Sequence, residues 1–256
     1  MKSIINRRFH IGFFIAMLLL VAASPVFASG DDALASIGEY AKESFSPQRN
    51  ELFEIPVTVP TPETLKAVQV EIRTADDDPV RTLEIELSPG ISDYAVLWDG
   101  RDSDGRIVPD EAYHLLLKMT DANGDISVSD ARKHSGGEEV YDFEKQVRQG
   151  TIEYSLPAAS RMLVRAGIKN GPMLRTIVDW EPRGKGFHAE HWDGKDADDV
   201  VPVEQNPQVG YLIVGYRLPD NAIITYGNAD ESYREYRERR GYPHRKARFD
   251  NRLLER

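Results

Sequence analysis

The sequence contains no cysteine. Disulfides are excluded as a source of stability, and no thiolate is available as a nucleophile or a metal ligand. Long apolar runs are almost as scarce. The longest, from Ile11 to Ala23, is well short of the roughly 20 residues that cross a bilayer as a helix. It follows a basic start at Lys2, Arg7 and Arg8 and leads to Val26-Phe27-Ala28, with small residues where a signal peptidase reads. Residues 1–28 therefore read as a secretory signal peptide cleaved after Ala28. No cysteine follows the run, which excludes a lipid anchor. The expectation is an exported chain, periplasmic or at the cell surface, with no transmembrane segment in its mature form.

Excess positive charge is missing from the body of the chain. The formal charge is −10, yet residues 230–256 carry nine Lys/Arg against six Asp/Glu, so the acid lies upstream. An acidic body disfavours nucleic acid as a partner, because phosphate contacts need a concentrated positive surface.

What is present is a repeat. WDGRDSDG at 98–105 returns 94 positions later as WDGKDADD at 192–199. Val80-Arg81-Thr82-Leu83 matches Leu174-Arg175-Thr176-Ile177, with 17 residues from arginine to tryptophan in both copies. Gly90 falls on Gly184, and Val68 and Val70 fall on Met162 and Val164. Downstream the register shifts by four, so Tyr113 falls on Tyr211. Within a unit the period is two: Val68, Val70 and Ile72 alternate with Gln69, Glu71 and Arg73, and Tyr94, Val96 and Trp98 repeat the pattern. That is strand patterning with one face on a core and one on water. Proline, Pro89-Gly90 and the hairpin pair Asn123-Gly124 punctuate the strands. The fold class expected is all-β, with two tandem immunoglobulin-like or fibronectin-like β-sandwiches.

The expected organisation places the first sandwich at 45–125 and the second at 150–229. Residues 29–44 read as a short helical segment, with Leu34, Ile37 and Ala41 at helical spacing. Residues 126–149 read as a linker or long loop. Residues 230–256 form a basic, tyrosine-rich tail whose first part can be a charged helix, interrupted at Gly241 and Pro243.

The first unit runs Phe45-Ser46-Pro47, Phe53-Glu54-Ile55-Pro56-Val57, VRTL, Pro89-Gly90, WDGRDSDG and Ala112-Tyr113. This resembles the FlgD-type immunoglobulin-like domain, named from the flagellar hook-capping protein and common in secreted bacterial proteins. The second unit is similar through Tyr154-Ser155-Leu156-Pro157, LRTI, Gly184 and WDGKD. The resemblance implies structural, adhesive or docking modules and brings no catalytic residue or cofactor with it. The sequence departs from the pattern at Gln48-Arg49-Asn50-Glu51. It also sets Glu190 on the apolar position of Val96. Either a bulge precedes Trp192, or the apolar face there is Phe187, Ala189 and His191.

The acidic loop invites a calcium reading, since a calcium loop takes ligands at positions 1, 3 and 5, glycine at 6 and glutamate at 12. With Gly105 at position 6, Asp102, Asp104 and Glu111 fall in place, but Gly100 stands at position 1. The second copy has Asp199 at the glycine position and Gln205 at the twelfth. A hairpin loop accounts for the same residues better: Asp99 forms an Asx turn, Gly100 takes a positive φ, and Trp98 covers the end of the sandwich.

His188 and His191 lie three apart and so face opposite sides of a strand, which disfavours a shared zinc. Ser135-Gly136-Gly137 lacks the strand–serine–helix setting of a nucleophile, and Gly184-Lys185-Gly186 is a turn. No catalytic residue is assigned. The residues left for partner binding are Trp180 and, in the tail, Tyr233, Tyr236, Arg239, Arg240 and Tyr242. The tail reads either as a solvated, partly disordered charged end or as a docking peptide for an acidic or carbohydrate surface on a partner or for the chain's own acidic body. An RNA-binding arm is disfavoured in an exported chain. The function expected is a non-catalytic secreted protein that docks a protein partner in the envelope or outside the cell. The alternative is a carbohydrate-binding or enzyme-accessory module.

Overall fold

A computed structural model describes residues 34–242, apart from 131, 133, 134, 142 and 149. The signal-peptide reading and the end of the tail lie outside the described residues. The chain is all-β and builds two sandwiches.

In the first, β1 (Ser36–Ile37), β3 (Phe53–Thr58) and β6 (Asp93–Trp98) form one sheet in the order β1-β3-β6. The facing sheet contains β4 (Leu65–Arg73), β5 (Pro79–Ile85) and β7 (Ala112–Asp121), with β8 (Ile126–Asp130) paired to the second half of β7. Alternation decides which side chains enter. Phe53, Ile55 and Val57 of β3 meet Val70 and Ile72 of β4 and Tyr113, Leu115 and Leu117 of β7 in one buried core. The Asn123-Gly124 hairpin forms as expected between β7 and β8, with Gly124 at φ 93.

The second sandwich sets β9 (Lys145–Arg148), β10 (Thr151–Leu156) and β13 (Gly186–His191) against β11 (Ser160–Ile168), β12 (Met173–Arg183) and β14 (Val209–Arg217). Its core is smaller: Ile152, Tyr154, Leu156, Met162, Val164 and Val178.

Three features differ from the sequence expectation. No helix forms between residues 34 and 44. Ser36–Ile37 pairs with β3, and β2 (Ser44–Phe45) joins the larger sheet. Gly38 sits mid-segment, where glycine costs a helix about 1 kcal/mol, and its N–H instead donates to Pro56 O at 2.9 Å. The stretch read as a linker contains β8 and β9. The last strand paired within the second sandwich is β14. β15 (Ile223–Thr225) returns to the first, antiparallel to β7 and parallel to β2.

The second sandwich is thus inserted between two parts of the first, and the chain crosses between them twice. The crossings run side by side, bonded through Gly137 N–H to Arg217 O (2.8 Å), Arg217 N–H to Glu138 O (2.8 Å) and Asp220 N–H to Ser135 Oγ (2.9 Å). Gly136 is required there. Its φ is 91, and a Cβ would stand 2.6 Å from Pro219 N. Ser135, unpromising as a nucleophile, ties the crossings together.

Candidate functional site

The two WDG loops share one construction. Asp99 Oδ1 accepts from Arg101 N–H at 3.1 Å, and Asp193 Oδ1 from Lys195 N–H at 3.0 Å. Asp102 Oδ1 accepts from the N–H groups of Asp104 and Arg106, both at 3.0 Å. Asp196 Oδ1 accepts from those of Val200 and Val201, at 2.8 and 3.0 Å, which hold its carboxyl below the usual range. The arginine of each RT pair reaches its own loop, Arg81 to Asp99 Oδ1 at 2.9 Å and Arg175 to Asp196 O at 2.9 Å. This explains the constant spacing from arginine to tryptophan. Gly100, at φ 69, lies so near Pro47 that a Cβ would stand 2.2 Å from its Cγ. Trp98 is fully buried between Phe45 and Tyr113, with ring centroids at 5.5 and 5.4 Å.

The residues considered for calcium are drawn to different cations of the chain itself. α1 (Tyr233–Arg239) follows β15 and is capped by a reciprocal Ser232–Glu235 box. It lies against the first sandwich with Tyr236 fully buried. Arg239 is 3.4 Å from Asp102 Oδ2, and Arg240 is 2.7 Å from Asp104 Oδ2 and 3.0 Å from Ser103 Oγ. Arg237 pairs with Asp76 and, at 3.0 Å, with Asp78. Tyr233 donates to Asp76 at 2.9 Å, and the Tyr242 hydroxyl donates to Pro79 O. The tail, as far as it is described, therefore engages the chain's own acidic body. Among the described residues, no group of three or more His, Asp or Glu side chains is arranged to hold a metal ion.

Glu111 points the other way, into the junction. Its side chain is 6% exposed and forms a two-pronged pair with Arg161 of β11 in the second sandwich. Arg161 also donates to Trp180 O at 2.8 Å. That carbonyl is available because Trp180 is the extra residue of a β-bulge: Met162 pairs with Glu181 and Leu163 with Asp179, so Trp180 is skipped. Its φ is 55, a left-handed backbone that a tryptophan adopts only under constraint. Trp180 thus sits in a strand and not in a loop. Trp180 is 36% exposed, and its ring lies 5.7 Å from that of Tyr216, a residue 41% exposed.

Trp180 borders a groove of about 740 Å³ with three walls: Asp110 and Glu111 of the first sandwich, Trp180 to Pro182 of the second, and Glu231 to Arg234 of the strap around α1. Asp110 accepts from Gly227 and Asn228 N–H at 2.8 and 2.9 Å. Burial, aided by the charge of Glu181, still raises its pKa. Sequence reasoning missed Arg161, Glu111's role and Tyr216. One signal was available, since the repeat sets Arg161 on Ala67, a long cation in place of a methyl group.

The histidines take structural places. His114 is buried 3.3 Å from Asp77 Oδ1, and burial together with Arg132 lowers its pKa to about 4. His188 Nε2 is 2.7 Å from Gly184 O, and His191 Nδ1 is 3.1 Å from Thr151 Oγ1. Neither alternative for β13 is realised. Its pairing with β10 runs without a shift from Thr151–His191 to Leu156–Gly186, yet Phe187 is 67% exposed while His188 and Glu190 face inward. An inward glutamate is tolerated because Arg183 Nε lies 2.8 Å from Glu190 Oε1 and the Tyr154 hydroxyl donates to the same oxygen at 2.8 Å.

No family model and no curated protein matches this chain. Among solved structures it is similar to FlgD from P. aeruginosa, at 19% identity over 37% of this chain and 67% of that one, with a TM-score of 0.29. It is also similar to the BSP domain of a biofilm-associated protein, at 9% identity over 76% of this chain and 30% of that one, with a TM-score of 0.22.

Proposed function

We propose that this chain is an exported, non-catalytic interaction protein of the bacterial envelope or cell exterior. It holds a protein partner at the junction of its two sandwiches. The observation that carries the reading is Trp180, an exposed tryptophan held in a left-handed bulge at the edge of the junction groove. Folded chains keep a strained residue where surrounding contacts over-determine it, and such residues cluster at ligand clamps and switch regions. Tryptophan is also among the side chains that dominate interface energetics. Within the groove Glu111 is committed to the ion pair with Arg161 that joins the two sandwiches. Export rests on the signal-peptide pattern of residues 1–28. Among the described residues no helix is long and apolar enough to cross a membrane.

A second reading, binding of a carbohydrate chain, is favoured by the Trp180–Tyr216 pair, whose two exposed rings present a stacking surface. One pair of measurements separates the two. The double variant Trp180→Ala/Tyr216→Ala is expected to keep its thermal unfolding temperature within about 3 °C, as surface changes usually do. It should lose at least tenfold in affinity for the envelope protein recovered with the wild-type chain. Unchanged protein affinity would dismiss the first reading. Retention of wild type, but not of the variant, on immobilised glycans would establish the second.

A further inference from the structure

We propose that α1 is an exchangeable arm, and that the acidic surface beneath it is also a docking site for the α1 of a second copy of this chain. The surface and its ligand both belong to this chain. On the body stand Asp76 and Asp78 of the turn after β4, Asp102 and Asp104 of the first WDG loop, and the site that buries Tyr236. On the arm stand Arg237, Arg239 and Arg240.

The arm is joined to the fold by a tight and otherwise exposed turn. Gly227 has φ 96, Asn228 is anchored by its side chain to Val108 O at 2.9 Å, and Asp230 N–H donates back to Asn228 Oδ1 at 3.0 Å. Ala229 and Asp230 are exposed. Opening this turn into an extended hinge leaves every arm–body contact available, now made to a neighbour. Short hinges of this type are where reciprocal exchange arises, because the open dimer regains all contacts except those of the turn.

The character of the contact suits exchange. α1 has seven residues, and an isolated helix of that length is unstable in water, so it persists only while docked. Besides the buried Tyr236 ring and the Tyr233 hydroxyl on Asp76, α1 is held by ion pairs, which weaken as salt shortens the range of charge. Docking within one chain benefits from an effective concentration in the millimolar range. A dilute chain is therefore closed on itself, and exchange sets in where copies are crowded together. The strap around α1 also walls the groove beside Trp180, but the exchange rests on the arm–body contacts alone, and its failure would leave the proposed function standing.

Charge reversal tests the exchange on full chains. One chain carries an inverted body, Asp76→Arg/Asp104→Arg, and another an inverted arm, Arg237→Glu/Arg240→Glu. Each alone should be monomeric by light scattering at about 100 μM, well below the effective concentration of cis docking. Their equimolar mixture should form a heterodimer in which both arms have crossed. Raising NaCl to about 0.5 M should weaken it at least tenfold. The chain with all four changes restores docking in cis and should be monomeric.

A second measurement does not rely on the reversed chains folding, and it uses the absence of native cysteine. A chain with Ser103→Cys and a chain with Arg240→Cys are mixed at about 1 mM, the effective concentration of cis docking, and joined by a short bis-maleimide. The Arg240 guanidinium lies 3.0 Å from Ser103 Oγ, and the linker takes the place of the arginine side chain's length. A covalent heterodimer on a denaturing gel supports exchange. A mixture of reversed chains that stays monomeric while the four-change chain is folded overturns the proposal, as does the absence of the cross-linked heterodimer.

Discussion

Replacing Trp98 by alanine should destabilise the chain by about 3–5 kcal/mol, the range for removing a large aromatic from a packed core. The same change at Trp192 should cost clearly less. The two tryptophans head the same motif, yet their surroundings differ. Trp98 is 0% exposed, sits between Phe45 and Tyr113, and donates its indole N–H to Arg101 O at 3.0 Å. Trp192 is half-buried, and among the described residues its ring neighbour is Tyr211, 6.0 Å away. A truncation at 98 leaves a cavity that two aromatic rings and a proline-braced loop cannot close, whereas solvent reaches the space left at 192. Urea unfolding followed by far-UV circular dichroism decides the matter. Equal midpoint shifts for the two variants, at unchanged slope, would mean that the second WDG tryptophan is as much a core residue as the first.

This asymmetry marks the limit of what the repeat makes legible. Strand patterning is local, so the alternation in 68–73 and 94–98 reads directly as β4 and β6. The Asx turns and positive-φ glycines of the loops are local as well and follow from Asp99, Gly100 and Gly105 alone. Sheet membership is not local. Ile223-Ile224-Thr225 reads as strand in any setting, and its place beside β7 is set by tertiary pairing. Ser36–Ile37 illustrates the same point from the other side. Three apolar residues at helical spacing carry little weight against a nearby strand edge that can take the segment's hydrogen bonds.

The candidate site was legible as residue types but not as an assembly. Trp180, Tyr233 and the tail arginines are singled out by exposed aromatic or basic character, and Asp102 and Asp104 by the calcium pattern. That the arginines meet those aspartates follows only from the return of β15, which brings residues 237–240 back over residues 76–104. The same return supplies the third wall of the groove beside Trp180. An ion pair spanning about 140 residues leaves no mark in local sequence beyond opposite charge.

Removing Arg183 should cost about 3 kcal/mol near neutral pH, because it strands a carboxylate inside the second sandwich. Glu190 stands where the first sandwich has Val96, and Arg183 and Tyr154 are its partners. Burial pushes the Glu190 carboxyl up, but the hydrogen bonds and charge of Arg183, with the Tyr154 hydroxyl, outweigh it and hold the group below its usual range. A carboxyl depressed in the folded state stabilises the fold fully above its unfolded pKa, near 4.3, and loses that contribution as pH falls through the folded value. The cost of Arg183→Ala should therefore shrink as the pH is lowered through about 4 and below, where Glu190 takes up a proton. The triple variant Arg183→Met/Glu190→Val/Tyr154→Phe removes charge and hydroxyl together and restores the apolar character of the first unit. Apolar replacement of an entire buried pair is often neutral or stabilising, so this variant should match or exceed the wild type at pH 7. Its stability should also depend less on acid. Paired urea titrations at pH 7 and pH 4 measure both effects. A triple variant as unstable as Arg183→Ala would mean that the polar cluster is required for packing the second sandwich, and not merely tolerated in it.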